Sequence, residues 1–272
     1  MSIFEAIFLG VVQGISEFLP ISSSGHLVLM REVLGVDLGT QSIIFDIILH
    51  LGTLISVIIF YWKDVCELLK GMFGIIGDVC KGRFNFENQP SKRFVLLLII
   101  ATIPLFAAVL FESKLEQAFT SPMFVGFMLL ITGGIIFATD KIKDGLTDQS
   151  NTKYKSALWV GLIQLIAVLP GISRSGSTIF AGAVVGMKKS FAIKFSLLLS
   201  IIAIAGASVF KIPEIDTVGI SIAACIIGMI VSAAVGILAI KFLVTLLTKS
   251  KFKYIAFYCW AVGIFAIVSQ MF

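Results

Sequence analysis

The sequence predicts an all-α polytopic membrane protein: an inverted-topology repeat of six transmembrane helices and two re-entrant helical hairpins. Three observations carry that prediction. The 272 residues are 58% hydrophobic and only 14% charged, against about 45–50% and about 25% in soluble domains. The apolar runs are continuous rather than alternating. That excludes a barrel and leaves helix as the form that satisfies backbone groups in lipid. Finally, the basic residues gather on one side only if two broken stretches turn back without crossing. So apolar a chain excludes disorder. The net charge of +5 fits basic loops rather than nucleic acid. Cys66, Cys80, Cys225 and Cys259 have no close pairing or metal-ligand spacing. No basic region precedes the first apolar stretch, so no cleavable leader is expected.

Taken in order, residues 4–30 are apolar but interrupted by Pro20 and the run Ser22, Ser23, Ser24. The stretch is too long for one span and too short for two, which need about 40 residues. A hairpin turning back at mid-membrane fits. Spans follow at 43–62, 94–111 and 123–139. Residues 157–187 form a second interrupted stretch around PGISRSGST, again read as a hairpin. Spans at 195–211, 218–240 and 254–272 complete the chain. With both stretches as hairpins, the loops 63–93, 140–156, 187–194 and 241–253 share a face and hold 17 of the 21 Lys and Arg. If the second stretch crossed instead, the split would fall to about 11 against 9. The charges therefore place both termini outside. Gly228, Ser232 and Gly236 fall four apart, and this is read as ordinary glycine-rich membrane composition rather than a packing seam.

The two hairpins resemble each other. A shift of 151 residues brings Gln13 onto Gln164, Ile21 onto Ile172, and Ser22, Ser24 and Gly25 onto Ser173, Ser175 and Gly176. The expected organisation is one membrane domain, 1–272, with repeats 1–150 and 151–272. Three spans per repeat is an odd number, so the halves enter from opposite faces. Inverted repeats place their working site where broken helices meet near the midplane.

Ionisable groups inside a membrane are functional candidates by default. Gln13 and Glu17 are four apart, on one helix face. Pro20 breaks that helix, the serines suit a cap, and His26 falls in the next helix's first turn. In the second hairpin a Gly-Ser turn leads into a helix N-terminus, a ready anion site. Arg174 adds a planar fork for phosphate oxygens or a partner for Glu17. Ser173, Ser175, Ser177 and Thr178 add hydroxyls. Ser177 stands where a P-loop needs lysine, so a nucleotide-hydrolysing loop is rejected. Asp46 sits at the mouth of the first span, placed to support the site or bind a cation. His50 reads as a hydrogen-bonded helix histidine. A carboxylate beside an amide can hold a divalent cation through oxygen. The assembly is a hydrolytic kit facing lipid, which points to a lipid phosphate.

At these residues the sequence resembles the undecaprenyl-diphosphatases linked to bacitracin resistance. It matches their Glu/Gln-x-x-x-Glu motif at Gln13 to Glu17, their Ser-Ser-x-Gly-His element from Ser22 to His26, and their PGxSRSxxT motif from Pro170 to Thr178. The resemblance covers essentially the whole chain. It implies a multi-pass enzyme of the bacterial plasma membrane, its site toward the outer face, hydrolysing undecaprenyl diphosphate to undecaprenyl phosphate and phosphate. That product is the lipid carrier of cell-wall synthesis. The implied cofactor is Mg²⁺ or Ca²⁺, held by Glu17, with Gln13 and Asp46 as weaker candidates. Gln13 stands where many relatives have glutamate, which removes one anionic ligand. The implied catalytic residues are Glu17, Ser23, His26 and Arg174. Ser23 is a nucleophile or substrate contact, and His26 an acid/base or nucleophile. Ser22, Ser24, Gly171, Ser173, Ser175 and Thr178 are the expected substrate contacts. The expected partners are a polyprenyl diphosphate and the bilayer, with a homodimer left open. A lipid-phosphate transporter or flippase on the same repeat is the alternative, and an anion channel a weaker one.

Overall fold

A computed structural model describes residues 2–35, 41–82, 89–211, 221–248 and 252–271. Arg83, Lys249 and Lys251, assigned to the basic loops, and the start of the expected span 218–240 lie outside them, as does Phe272. The described residues are mostly helical, joined by turns and by a loop over 142–153 that carries one isolated bridge between Thr147 and Met187.

The first interrupted stretch forms two helices. The first, α1 (Ile3–Phe18), opens on a reciprocal cap. Ser2 Oγ accepts from the Glu5 amide at 3.2 Å, and the Glu5 carboxylate accepts from the Ser2 amide at 2.8 Å. It stops before Pro20. The second, α2 (Ser23–Leu34), starts on the Ser22 cap and ends at Gly35, whose φ of 60° is the left-handed conformation glycine supplies. The other interrupted stretch behaves alike, with α8 (Tyr154–Ile166) and α9 (Arg174–Val184) separated by a turn through Gly171.

Between and after them come α3 (Gln41–Phe60), α4 (Trp62–Cys80), α5 (Pro90–Thr102), α6 (Glu112–Phe119), α7 (Pro122–Lys141), α10 (Lys189–Phe210), α11 (Ile222–Thr248) and α12 (Phe252–Val268). The stretches 90–111, 122–141, 189–210 and 222–246 are each long and apolar enough to cross a membrane. A fifth span is available if α3 and α4, bent by 91° at Tyr61, are taken together. The protein is thus a multi-pass helical membrane protein. The last expected span, 254–272, corresponds to the 17-residue α12.

Several expectations need correction. The region 63–93 is not simply a loop, because it contains the 19-residue α4. Its charged face lowers the local hydropathy, while Val65 and Leu68 pack against the core. Lys194, expected in a loop, lies within α10 and pairs with Asp64 of α4. Past Thr102, at a turn containing Pro104, the fifth helix tightens to a 3₁₀ segment over Ile103–Phe111. Gly228, Ser232 and Gly236 are a packing seam after all. A Cβ on Gly10 would lie 2.9 Å from the Gly228 carbonyl, and one on Gly14 2.8 Å from that of Ser232. Ser232 Oγ donates to the Leu49 carbonyl at 3.0 Å, and Ser56 Oγ to that of Ala233 at 2.8 Å. Small residues let α1 and α3 approach α11 closely, as membrane helix packing requires.

The core gathers around the two breaks. Phe18 and Ile21 from the first hairpin meet Val57, Ile136, Ile179, Leu197, Ile240 and Ala256. Elements far apart in the chain therefore close on the two turns and set the site between them.

Candidate active site

The two turns are built alike. Ser22 Oγ accepts from the Gly25 amide at 3.3 Å and shares a hydrogen bond with Ser24 Oγ at 3.3 Å. Ser173 Oγ accepts from the Gly176 amide at 3.1 Å and shares one with Ser175 Oγ at 3.2 Å. Ser–x–Ser–Gly is a local cap, made by residues within three positions of each other. Each cap leaves the next residue, Ser23 or Arg174, at the first helical position.

Both of those residues reach Glu17. Arg174 pairs with Oε1, and Ser23 Oγ donates to Oε2 at 2.6 Å. Gln13 Nε2 donates to Oε2 at 3.0 Å. His50 Nε2 stands 3.5 Å from the same oxygen, and its Nδ1 donates to the Asp46 carbonyl at 2.7 Å. The Glu17 side chain is 2% exposed, whereas those of Arg174 and His50 are 21% and 29%. Ser23 is half-buried. The site therefore has a buried carboxylate floor and a rim open to a ligand.

Two buried polar atoms at this site lack a partner: Arg174 Nη1 and Gln13 Oε1. One is a cationic donor and the other a neutral oxygen. Buried polar groups are almost always bonded, so each orphan calls for an occupant of opposite character. Arg174 also opens α9, whose N-terminal dipole favours an anion beside it.

The remaining expected residues make their bonds to partners other than Glu17. His26 donates from Nδ1 to the Ser22 carbonyl at 2.9 Å, and its Nε2 meets the Tyr258 hydroxyl at 2.9 Å. Asp46 pairs with Arg31 of α2. Gly171, φ 93°, packs on α7, where a Cβ would lie 2.6 Å from the Val125 carbonyl. Its own carbonyl accepts from Thr132 Oγ1 at 2.8 Å, and Thr132 Oγ1 accepts from the Ser173 amide at 3.0 Å. Thr178 Oγ1 bonds the Arg174 carbonyl at 2.9 Å and Ser196 Oγ at 2.6 Å, tying α9 to α10. Ser22, Ser24, Ser173, Ser175, Gly171 and Thr178 thus shape the turns that present Ser23 and Arg174. Sequence reasoning missed the approach of His50 to Glu17, the bond from Tyr258 to His26, and the Thr132 brace. The four-residue spacing from Asp46 to His50 was visible, but nothing local tells which way that face turns.

Fold and site together define a class: a multi-pass membrane protein whose two interrupted helical stretches close on a buried carboxylate, a guanidinium and a serine. The chain belongs to a particular family within that class, described as bacitracin resistance protein BacA, whose model matches residues 6–265. It is 42% identical to an undecaprenyl-diphosphatase of Methanobrevibacter smithii, over 100% of this chain and 99% of that protein. It is 41% identical to one of Methanosphaera stadtmanae, over 98% of each. A third, from Halothermothrix orenii, is 39% identical over 98% of each.

Proposed function

We propose that the protein is a membrane phosphatase that hydrolyses undecaprenyl diphosphate to undecaprenyl phosphate and inorganic phosphate. The observation that carries this reading is Arg174: one nitrogen pairs with Glu17 while Nη1 is buried with no partner. A terminal phosphate oxygen supplies the missing acceptor. Family membership and relatives named for this activity support the same substrate.

The chemistry follows from the contact between Ser23 and Glu17. A nucleophile bonded to a base that a third group orients is the usual activation geometry. Glu17 takes the Ser23 proton as Oγ attacks the terminal phosphorus. The bond to the bridging oxygen breaks, and undecaprenyl phosphate leaves. Water then attacks the phosphoseryl group, Glu17 returns a proton to Oγ and takes one from that water, and phosphate departs. The proton in excess passes to solvent. Arg174 neutralises the growing charge on the phosphoryl oxygens. His26 has both ring nitrogens engaged, so Ser23 rather than His26 is the nucleophile in this scheme.

The donor set fits a divalent cation shared with substrate. Among the described residues, no group of three or more His, Cys, Asp or Glu could hold a metal unaided. Glu17 and the orphaned Gln13 Oε1 would hold Mg²⁺ or Ca²⁺, with diphosphate oxygens among the other ligands, as is common for Mg²⁺. Such an ion supplies charge neutralisation on the diphosphate. Asp46, tied to Arg31, is a weaker candidate.

The proposed topology is six spans and two re-entrant hairpins in one membrane domain, as inverted repeats 1–150 and 151–272, with the site open to the outer face of the plasma membrane. The matching caps at Ser22 and Ser173 and the one-sided basic loops support it. The flippase alternative draws only on the repeat, whereas the Ser23–Glu17 contact favours hydrolysis. Purified protein in detergent should release phosphate from a polyprenyl diphosphate with Mg²⁺ or Ca²⁺. Glu17→Ala and Arg174→Ala should each lose most activity while remaining folded. Wild-type turnover by the double variant would overturn the assignment.

A further inference from the structure

We propose that Tyr258 is a positioning residue for His26, and through it for the turn that presents Ser23. The positioning role rests on the hydrolase reading above. The contact itself does not.

His26 lies in the first turn of α2, and Tyr258 on α12 is 232 residues away. The two rings lie nearly parallel, with centroids 5.6 Å apart and planes inclined by 12°. The hydrogen bonds place one of the protons. The Ser22 carbonyl can only accept, so Nδ1 of His26 carries hydrogen and donates to it. In the neutral ring Nε2 is then an acceptor, and Tyr258 is the donor that meets it at 2.9 Å. A ring bonded at both nitrogens cannot rotate about its own bonds without breaking one of them.

What the ring holds is unusual. Ser22 has φ 72° and ψ 100°, the one positive φ at a non-glycine position among the described residues. Such a conformation persists only where surrounding contacts over-determine it. Its carbonyl accepts from both the His26 amide, at 3.1 Å, and His26 Nδ1. The next residue is Ser23, whose hydroxyl must meet Glu17. The path runs from the Tyr258 hydroxyl to the imidazole, to the Ser22 carbonyl, and so to the direction of Ser23 Oγ.

Core packing does not explain the Tyr258 hydroxyl. The residue is 45% exposed, while its neighbour Cys259 is fully buried and donates to the Pro20 carbonyl at 3.8 Å. Helix α12 thus touches the first hairpin at its break and again just beyond it. Cys259 supplies the packing and Tyr258 a directed bond.

The chain has only two histidines, which makes the test direct. Protein carrying ¹⁵N-histidine gives two rings, assigned with His50→Gln. In the wild type, Nε2 of His26 should resonate as a bonded acceptor. In Tyr258→Phe, which keeps the ring and loses the hydroxyl, it should move to the unbonded position while His50 stays. Turnover should fall about tenfold, the lower end for partners that orient a working residue, with KM and thermal midpoint unchanged. An unmoved Nε2 signal overturns the proposal, as does a moved signal with unchanged turnover. If Tyr258→Phe does not fold, an unbonded Nε2 signal in the wild type overturns it and a bonded one supports it. A wild type that releases no phosphate would defeat the hydrolase reading instead, and the ring signal would still report whether Tyr258 holds His26.

Discussion

Ser23 and Arg174 occupy matching positions, 151 residues apart, and hold opposite oxygens of one carboxylate. Each is the first residue of a helix, placed there by a serine cap of the same design. Glu17 therefore receives a neutral hydroxyl from its own hairpin and a cation from the other. The asymmetry suits the chemistry, since one contact must give up a proton and the other must keep its charge.

That relationship separates two variants. Ser23→Ala removes the nucleophile and should lower phosphate release by roughly a thousandfold or more, as for residues that act as a unit. Arg174→Lys keeps the charge but loses the planar fork that spans Glu17 and a phosphate oxygen. It should cost between about tenfold and a hundredfold, the range of a charged hydrogen bond. Together the two substitutions should be no worse than Ser23→Ala alone, measured as kcat on a polyprenyl diphosphate.

The Gln13 amide gives a test of metal binding that does not depend on turnover. Its Nε2 donates to Glu17, and its Oε1 is buried without a partner. Gln13→Glu replaces a donor with a second anion at a fully buried position. In chelator this variant should melt at a lower temperature than the wild type, because like charges in a buried site repel. Added Mg²⁺ should raise its midpoint by more than it raises that of the wild type. Equal responses would show that no cation lies beside residue 13.

Helix packing can be tested with two glycines. A Cβ at Gly14 would press on the Ser232 carbonyl and Val235, whereas Gly77 has open space around it. Gly14→Ala should destabilise by about 1–3 kcal/mol through overpacking and lower activity, since Glu17 lies less than one turn further along α1. Gly77→Ala should stabilise by up to about 1 kcal/mol through helix propensity. Thermal unfolding in detergent, read beside turnover, distinguishes them.

The loop before α8 has its own pH signature. The Ser150 hydroxyl, followed by Lys188, holds the Asp148 carboxyl down at about 2. A lowered folded value means that its contribution is complete above the ordinary carboxylate range and is lost as pH falls through about 2. Amide exchange at Lys188, which donates to the Thr147 carbonyl at 2.8 Å, should be insensitive to this group from pH 7 to about pH 4 and rise below that. Asp148→Asn should remove the rise.

Much of this protein is written locally. Pro20, the paired Ser–x–Ser–Gly caps and the 151-residue correspondence lie in the chain itself, because a helix break or cap depends on residues within about four positions. Composition alone required helices in a bilayer, since no other open form satisfies the backbone there. The charged residues that did not fit the loops, Glu17 and Arg174, marked the site for the same reason. What the chain could not show is which faces meet. Whether Arg174 spends itself on Glu17, whether His50 or Asp46 turns inward, and which distant helix carries the donor for His26 depend on how helices rotate against one another. That rotation follows from packing over the whole molecule. The seam at Gly228, Ser232 and Gly236 shows the difference: its spacing was plain, but its meaning required Gly10, Gly14 and Gly52 across from it. Tertiary structure alone turned two local turns into one site.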